Sequence, residues 1–273
     1  MKQILVATDF STCAGNAMEY ALGLAKILHV EVCATHAMSA NEGVDNNIFN
    51  AIYIEDYHNN KRQALATWAS TFTANEEFKD VSVSSTVEIG GLIPVLNKYI
   101  EANPVELLVL GTMGSTGISG IFGSNANSII LKIKKPTLIV PLESKYLPNP
   151  VITLATDFNS NLSAEDVNAL NELIHAFSLK KLNVVNVIEG PDWKTNETGE
   201  NKLRILIDKA DLEFKYISEN STTDGIMNFI VSSQTDILCI VKHHQNLIYR
   251  IFNRSTVNQV MNRSIKAILV LHE

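Results

Sequence analysis

Ile4-Leu-Val-Ala-Thr-Asp-Phe10 recurs as Ile152-Thr-Leu-Ala-Thr-Asp-Phe158, setting Asp9 against Asp157 at an offset of 148 residues. An internal repeat decides the architecture before any single element is assigned, because each copy must bury the same faces. Further along, the register returns at an offset of 130. Glu106-Leu-Leu-Val-Leu110 faces Asp236-Ile-Leu-Cys-Ile240, Ile121-Phe122 faces Ile251-Phe252, and Thr137-Leu-Ile-Val140 faces Ala267-Ile-Leu-Val270. The first half therefore carries extra residues in its middle. The Asn-rich stretch from Met38 to Tyr57 reads as that excess, a longer crossover and helix start. Glu143 to Pro150, with prolines at 148 and 150, reads as the linker between units 1–145 and 149–273.

Within each half, short β-branched and apolar runs alternate with longer amphipathic stretches. This is the pattern of parallel strands joined by crossover helices, with the sheet buried on both faces. The first half predicts strands over 3–9, 31–37, 81–88, 105–110 and 137–141, with helices over 12–28, 48–74, 91–102 and 124–134. The second predicts strands over 151–157, 182–188, 213–218, 236–241 and 267–272, with a helix over 163–179 among its crossovers. The fold class is α/β: two tandem, doubly wound, parallel-sheet domains of five strands each, in three flavodoxin-like layers.

Hydrophobic residues make up 46% of the 273, enough for two cores. The net charge of -7 opposes attraction to phosphate backbones and acidic lipid surfaces, so neither nucleic acid nor membrane is expected as a partner. The chain opens directly on a strand-like segment without a leader pattern, and a cytoplasmic location is the expectation. Cys13, Cys33 and Cys239 form no CxxC pair and read as reduced, buried thiols.

The densest chemical signal is Gly111-Thr-Met-Gly114-Ser-Thr-Gly117-Ile-Ser-Gly120-Ile-Phe-Gly123-Ser124, lying between a strand and a helix start. Glycine lets a ligand approach main-chain amides, and a helix start adds unpaired N–H donors and a positive dipole end. Together they form a phosphate cradle. The spacing matches neither GxxxxGK[ST] nor a GxGxxG after the first strand. A loop serving as a plain turn is the competing reading.

Strand, Gly-x-x-Gly, an interval, then Gly-Ser at a helix start resembles the universal stress proteins. So do the opening Val6-Ala-Thr-Asp9 and the close Pro136-Thr-Leu-Ile-Val-Pro141. The likeness spans the chain as a tandem pair and implies the adenine-nucleotide α-hydrolase-like fold. The interval between Gly114 and Gly123 is one residue shorter than in the family's ATP-binding branch. The resemblance implies that Ala7, Thr8 and Asp9 border the adenosine, with Asp9 near the ribose or a phosphate-bound metal. Ala37 would hold adenine through its backbone. Leu110, Gly111 and Gly114 would line the ribose and phosphates, while Gly123, Ser124 and Asn125 would donate to the phosphates. The implied ligand is ATP, AMP or ADP, with or without magnesium. For Asp9 a competing reading is the N-cap of the first helix.

In the second half, Val241, His244, Leu247, Arg250 and Asn253 stand where the first has its five glycines, so nucleotide binding is expected in the first half alone. Cys239 with His243 and His244 matches no closed tetrahedral zinc pattern. No catalytic constellation is visible, and His29, His58, His175, Trp68 and Trp193 read as surface or packing residues. Neither lysine nor arginine lies between Gly111 and Asn125, so turnover is expected to be slow or absent. The leading expectation is a nucleotide-binding stress or signalling protein. The alternative is a scaffold that binds another small ligand or an unknown protein partner, and the chain is expected as a monomer with an internal pseudo-dimer or as a homodimer.

Overall fold

The computed structural model describes residues 2–39, 51–113, 124–158, 162–190, 194–242, 259–261 and 264–273, with backbone alone at 51–54 and 124–125. The first half runs β1 (Gln3–Ala7), α1 (Thr12–Leu28), β2 (Glu31–Met38), α2 (Ala51–Thr73), β3 (Val83–Ile89), α3 (Leu92–Ala102), β4 (Val105–Thr112), α4 (Ser124–Lys132) and β5 (Thr137–Pro141). The second runs β6 (Ile152–Ala155), α5 (Asn168–Ala176), β7 (Lys181–Glu189), α6 (Glu197–Leu206), β8 (Asp211–Glu219), α7 (Thr222–Ser232), β9 (Ile237–Lys242) and β10 (Ala267–His272).

The ten strands among the described residues form one sheet in the order β3-β2-β1-β4-β5-β10-β9-β6-β7-β8. Each half repeats the same doubly wound parallel order. The seam is antiparallel, pairing Thr137 with Val270, Leu138 with Leu269 and Ile139 with Ile268. An edge strand without charges invites pairing, and β5 and β10 are buried along their whole lengths. Each covers the edge the other would expose.

The cores follow the sheet's two faces. On one, Ile4, Val6 and Val109 belong to a cluster that continues into Leu154, Leu182 and Leu269 of the second half. On the other, α4 contributes Ala126 and Ile130 to a cluster with Ile240, Met261 and Ile268. The halves thus share apolar burial across the seam. Among the described residues no helix is long and apolar enough to cross a membrane.

The residues after β5 are tied down as well as covered. Buried Asn16 of α1 donates to the carbonyls of Pro141 and Ser144, both at 2.9 Å, and accepts from Lys145 Nζ at 2.7 Å. Ser144 Oγ accepts from Ala267 N of β10 at 3.1 Å. Tyr146 lies over Gly23, where a Cβ would stand 2.5 Å from the ring, and its ring is 6.2 Å from that of Phe177.

Two length differences separate the halves. The excess in the first falls between β2 and β3, where α2 has 23 residues against 10 in α6. The helix predicted over 163–179 is observed as α5, which starts later, at Asn168, and ends at Ala176. Leu28 ends α1 at the matching position, so α5 lacks the front of the helix and keeps its end. At Gly111 a Cβ would meet Cys13 O of α1 at 2.2 Å. The counterpart of Gly111 is Val241, whose side chain is buried in the core that also holds Leu162 and Val167. A helix in register with α1 would bring its backbone onto that valine, and the second half has its helix further on, from Asn168.

Candidate functional site

The repeated Thr-Asp-Phe builds one turn twice. Phe10 and Phe158 adopt φ of 65° and 60°, a left-handed conformation costly for a bulky side chain. In each copy the preceding threonine holds the strained residue: Thr8 Oγ1 accepts from Phe10 N and Thr156 Oγ1 from Phe158 N, both at 3.0 Å. The turn lets the chain leave β1 and enter α1 at once. Asp9 Oδ1 accepts from Ser11 N at 3.0 Å, and Ser11 Oγ accepts from Ala14 N at 3.2 Å. The N-cap of α1 is therefore Ser11 and not Asp9, which fastens the turn before it and keeps its carboxylate exposed.

The neighbouring strand end locks onto the same turn. His36 Nδ1 lies 2.8 Å from Thr8 O, and because a carbonyl only accepts, Nδ1 carries the hydrogen. In the second half Asn186 Nδ2 donates to Thr156 O at 2.8 Å, so a different side chain makes the same bond. The His36 ring packs 4.8 Å from Phe10, Phe10 lies 6.0 Å from Trp68, and Trp68 lies 4.9 Å from Phe72. Trp68 is thus a packing residue beneath the turn.

Above these strand ends lies a cleft of about 190 Å³. Six residues singled out in the sequence, Ala7, Thr8, Asp9, Ala37, Leu110 and Gly111, come together in its walls. The chain leaves β1 toward β2 on one side and has β4 on the other, so the cleft sits where the strand order reverses, the usual ligand position in open parallel sheets. Gly114 and Gly123 lie outside the described residues. Ser124 and Asn125 form the opening of α4, with their side chains outside the description.

Sequence reasoning missed Ala14, Leu92, Ala126 and Ile129, which complete the apolar wall. Leu92 and Ala126 had a usable signal, since each lies at a helix start following a glycine-bearing loop. Gly111 also takes on a second role, because its bare Cα permits the close approach of α1 described above.

Among the described lining residues Asp9 supplies the one carboxylate. Next to it Cys13 Sγ contacts Met113 Sδ at 3.0 Å, and burial, then the negative charges of Asp9 and Glu143, push the Cys13 thiol above its ordinary range. Among the described residues no group of three His, Cys, Asp or Glu side chains could hold a metal. Cys239 lies fully buried in the core, while His243 and His244 lie outside the description.

In the second half the same place is built differently. The β6–β7 register puts Val187 where the first half has Ala37, and Val241 replaces Gly111. Val187 is buried against α7, where a Cβ on Gly225 would stand 2.6 Å from it. The larger Val187 side chain stands where the first half has only a methyl at Ala37, and Val241 fills the position that α1 approaches at Gly111. His244, Leu247, Arg250 and Asn253 lie outside the described residues.

Fold and cleft together define a tandem α/β protein with an open cleft at the switch point of its first half. The universal stress protein family model matches residues 1–141, and the chain belongs to that family. A universal stress protein of Archaeoglobus fulgidus is similar along its length, with a TM-score of 0.75 at 15% identity, covering 98% of this chain and 97% of its own. A candidate universal stress protein of Pseudomonas aeruginosa superposes with a TM-score of 0.60 at 13% identity, covering 100% and 93%. At such identities the likeness is one of fold. A comparison with curated protein sequences yields no match.

Proposed function

We propose that the first-half cleft binds an adenine nucleotide and that occupancy, without appreciable turnover, is its output. The observation that carries the reading is the convergence of an exposed carboxylate, a small residue at the β2 end and a bare glycine at the β4 end on one cleft, with the start of α4 following the glycine-rich run. The base would rest against Ala37, the ribose near Asp9, and the phosphates beyond Gly111 toward the amides that open α4. A helix start favours anions through unpaired N–H groups and its dipole. The described walls enclose less than the roughly 300–1,000 Å³ of a typical ligand pocket, which suits a base and ribose with the phosphates outside. Magnesium, if carried in with the phosphates, would meet Asp9. We place the unit boundary between residues 145 and 149 and the single site in the first unit.

A thermal-shift titration tests the reading. At 100 times its dissociation constant a ligand stabilises the native state by about 2.7 kcal/mol. ATP with magnesium should raise the melting temperature, Gly123→Val should abolish the rise, and Asn253→Val should leave it intact. No shift with ATP, ADP or AMP would favour the scaffold reading. Equal loss in both variants would refute the one-site assignment.

A further inference from the structure

Lys242 ends β9 at the position where the first half has Thr112, and its Nζ donates to the carbonyl oxygen of Ile130 at 2.6 Å. That carbonyl belongs to the last turn of α4, where main-chain acceptors lack partners within the helix. The neighbouring carbonyl of Ile129 is taken by Ile133 N at 2.8 Å, so two of the terminal acceptors of α4 are satisfied, one of them by the other half of the molecule. A cation at this end also complements the helix dipole. With nine residues, α4 is shorter than a helix that holds itself together in water.

The same helix touches both the cleft and the seam. Ala126 and Ile129 line the cleft, while Ala126 and Ile130 are buried in the cluster with Val260, Met261 and Ile268 of the second half. Its first turn presents the amides that the proposed function assigns to phosphate, and those amides converge only while the helix is formed. We propose that Lys242, supplied by the half without the glycines, is a positioning residue for the nucleotide cleft, acting through α4. The proposal rests on the nucleotide reading above. It gives the second half a part in binding although that half holds no nucleotide of its own.

The test uses the full chain as wild type, Lys242→Met and Lys242→Arg, with ATP affinity measured by calorimetry and amide hydrogen exchange followed without nucleotide. Lys242→Met should weaken ATP binding by about three- to ten-fold. It should speed exchange in α4 while leaving the central strands protected, and Lys242→Arg should restore both. Wild-type affinity in Lys242→Met overturns this proposal alone, as does a loss of affinity that arginine fails to rescue or that comes with exchange rising throughout the sheet. A wild-type protein that binds no adenine nucleotide overturns both readings together.

Discussion

At residue 111 the absent side chain matters first for packing. A Cβ there would stand 2.2 Å from Cys13 O, a main-chain atom that moves only if α1 moves. Gly111→Ala should cost about 1–3 kcal/mol, the usual range for overpacking. Gly15, on the same helix, offers a contrast: its nearest neighbour would be the Phe72 ring at 3.6 Å, an ordinary contact. Gly15→Ala should leave stability unchanged or raise it by about 0.5–1 kcal/mol through helix propensity. Urea midpoints of both variants check the pair, and a drop of similar size at both sites would contradict the packing argument. The glycine-rich run is conspicuous in the sequence, yet the partner that requires glycine at 111 sits on α1. Linear order does not disclose that approach. Asp9 shows the same limit, since its exposed carboxylate was legible as a candidate while the hydroxyl of Ser11 took the cap.

At the scale of elements, the fold was largely readable and its departures are local. Helix α1 runs over Thr12–Leu28 as predicted, and β5 over Thr137–Pro141. Strong apolar periodicity with a clear start and stop explains why. The late start of α5 was invisible, because Val241, which a helix in register with α1 would meet, lies on a strand far along the chain. The clamp by Asn16 was equally hidden, since an asparagine inside a helix looks only like a weak helix former. Asn16→Ala should destabilise by about 1–3 kcal/mol, removing the side-chain donor from the carbonyl of Ser144 and leaving that of Pro141 with the N–H of Ser144 alone. Asn16→Asp keeps an acceptor for Lys145 but turns a second acceptor toward those carbonyls, and it should cost at least as much. Calorimetric unfolding of the two variants measures this. An aspartate variant as stable as wild type would show that the donor to the carbonyls is unimportant.

Across the whole molecule, protons on buried thiols and phenols couple folding to alkaline pH. Burial pushes Cys239 well above the ordinary thiol value of 9.0, and Cys33 and Cys13 are also raised. Burial likewise raises Tyr20 and Tyr99, and Tyr216 is pushed up to about 12. Each group holds its proton more tightly folded than unfolded, so this stability is complete below the unfolded value and is lost as pH rises above it. The melting temperature should fall as pH rises through the ordinary thiol and phenol ranges of 9.0 to 10.0, with a shallower fall in Cys239→Ala. The native thiols should also resist alkylation near neutral pH and react fully once the chain is unfolded. A melting temperature flat across that alkaline range would contradict the burial of these groups.

The sequence by itself determined that there are two α/β units of one kind, and that the first alone keeps a glycine-rich loop. Repetition of a motif and periodicity of apolar residues are properties of linear order, and each strand needs the same buried faces in either copy. Only the tertiary structure decided that the halves fuse into one ten-stranded sheet through β5 and β10, with Asn16 fastening the residues after β5 to α1. It also decided that α4 is capped from the opposite half by Lys242. Those features depend on which atoms lie within a few ångströms across the seam, and that distance has no counterpart in the order of residues.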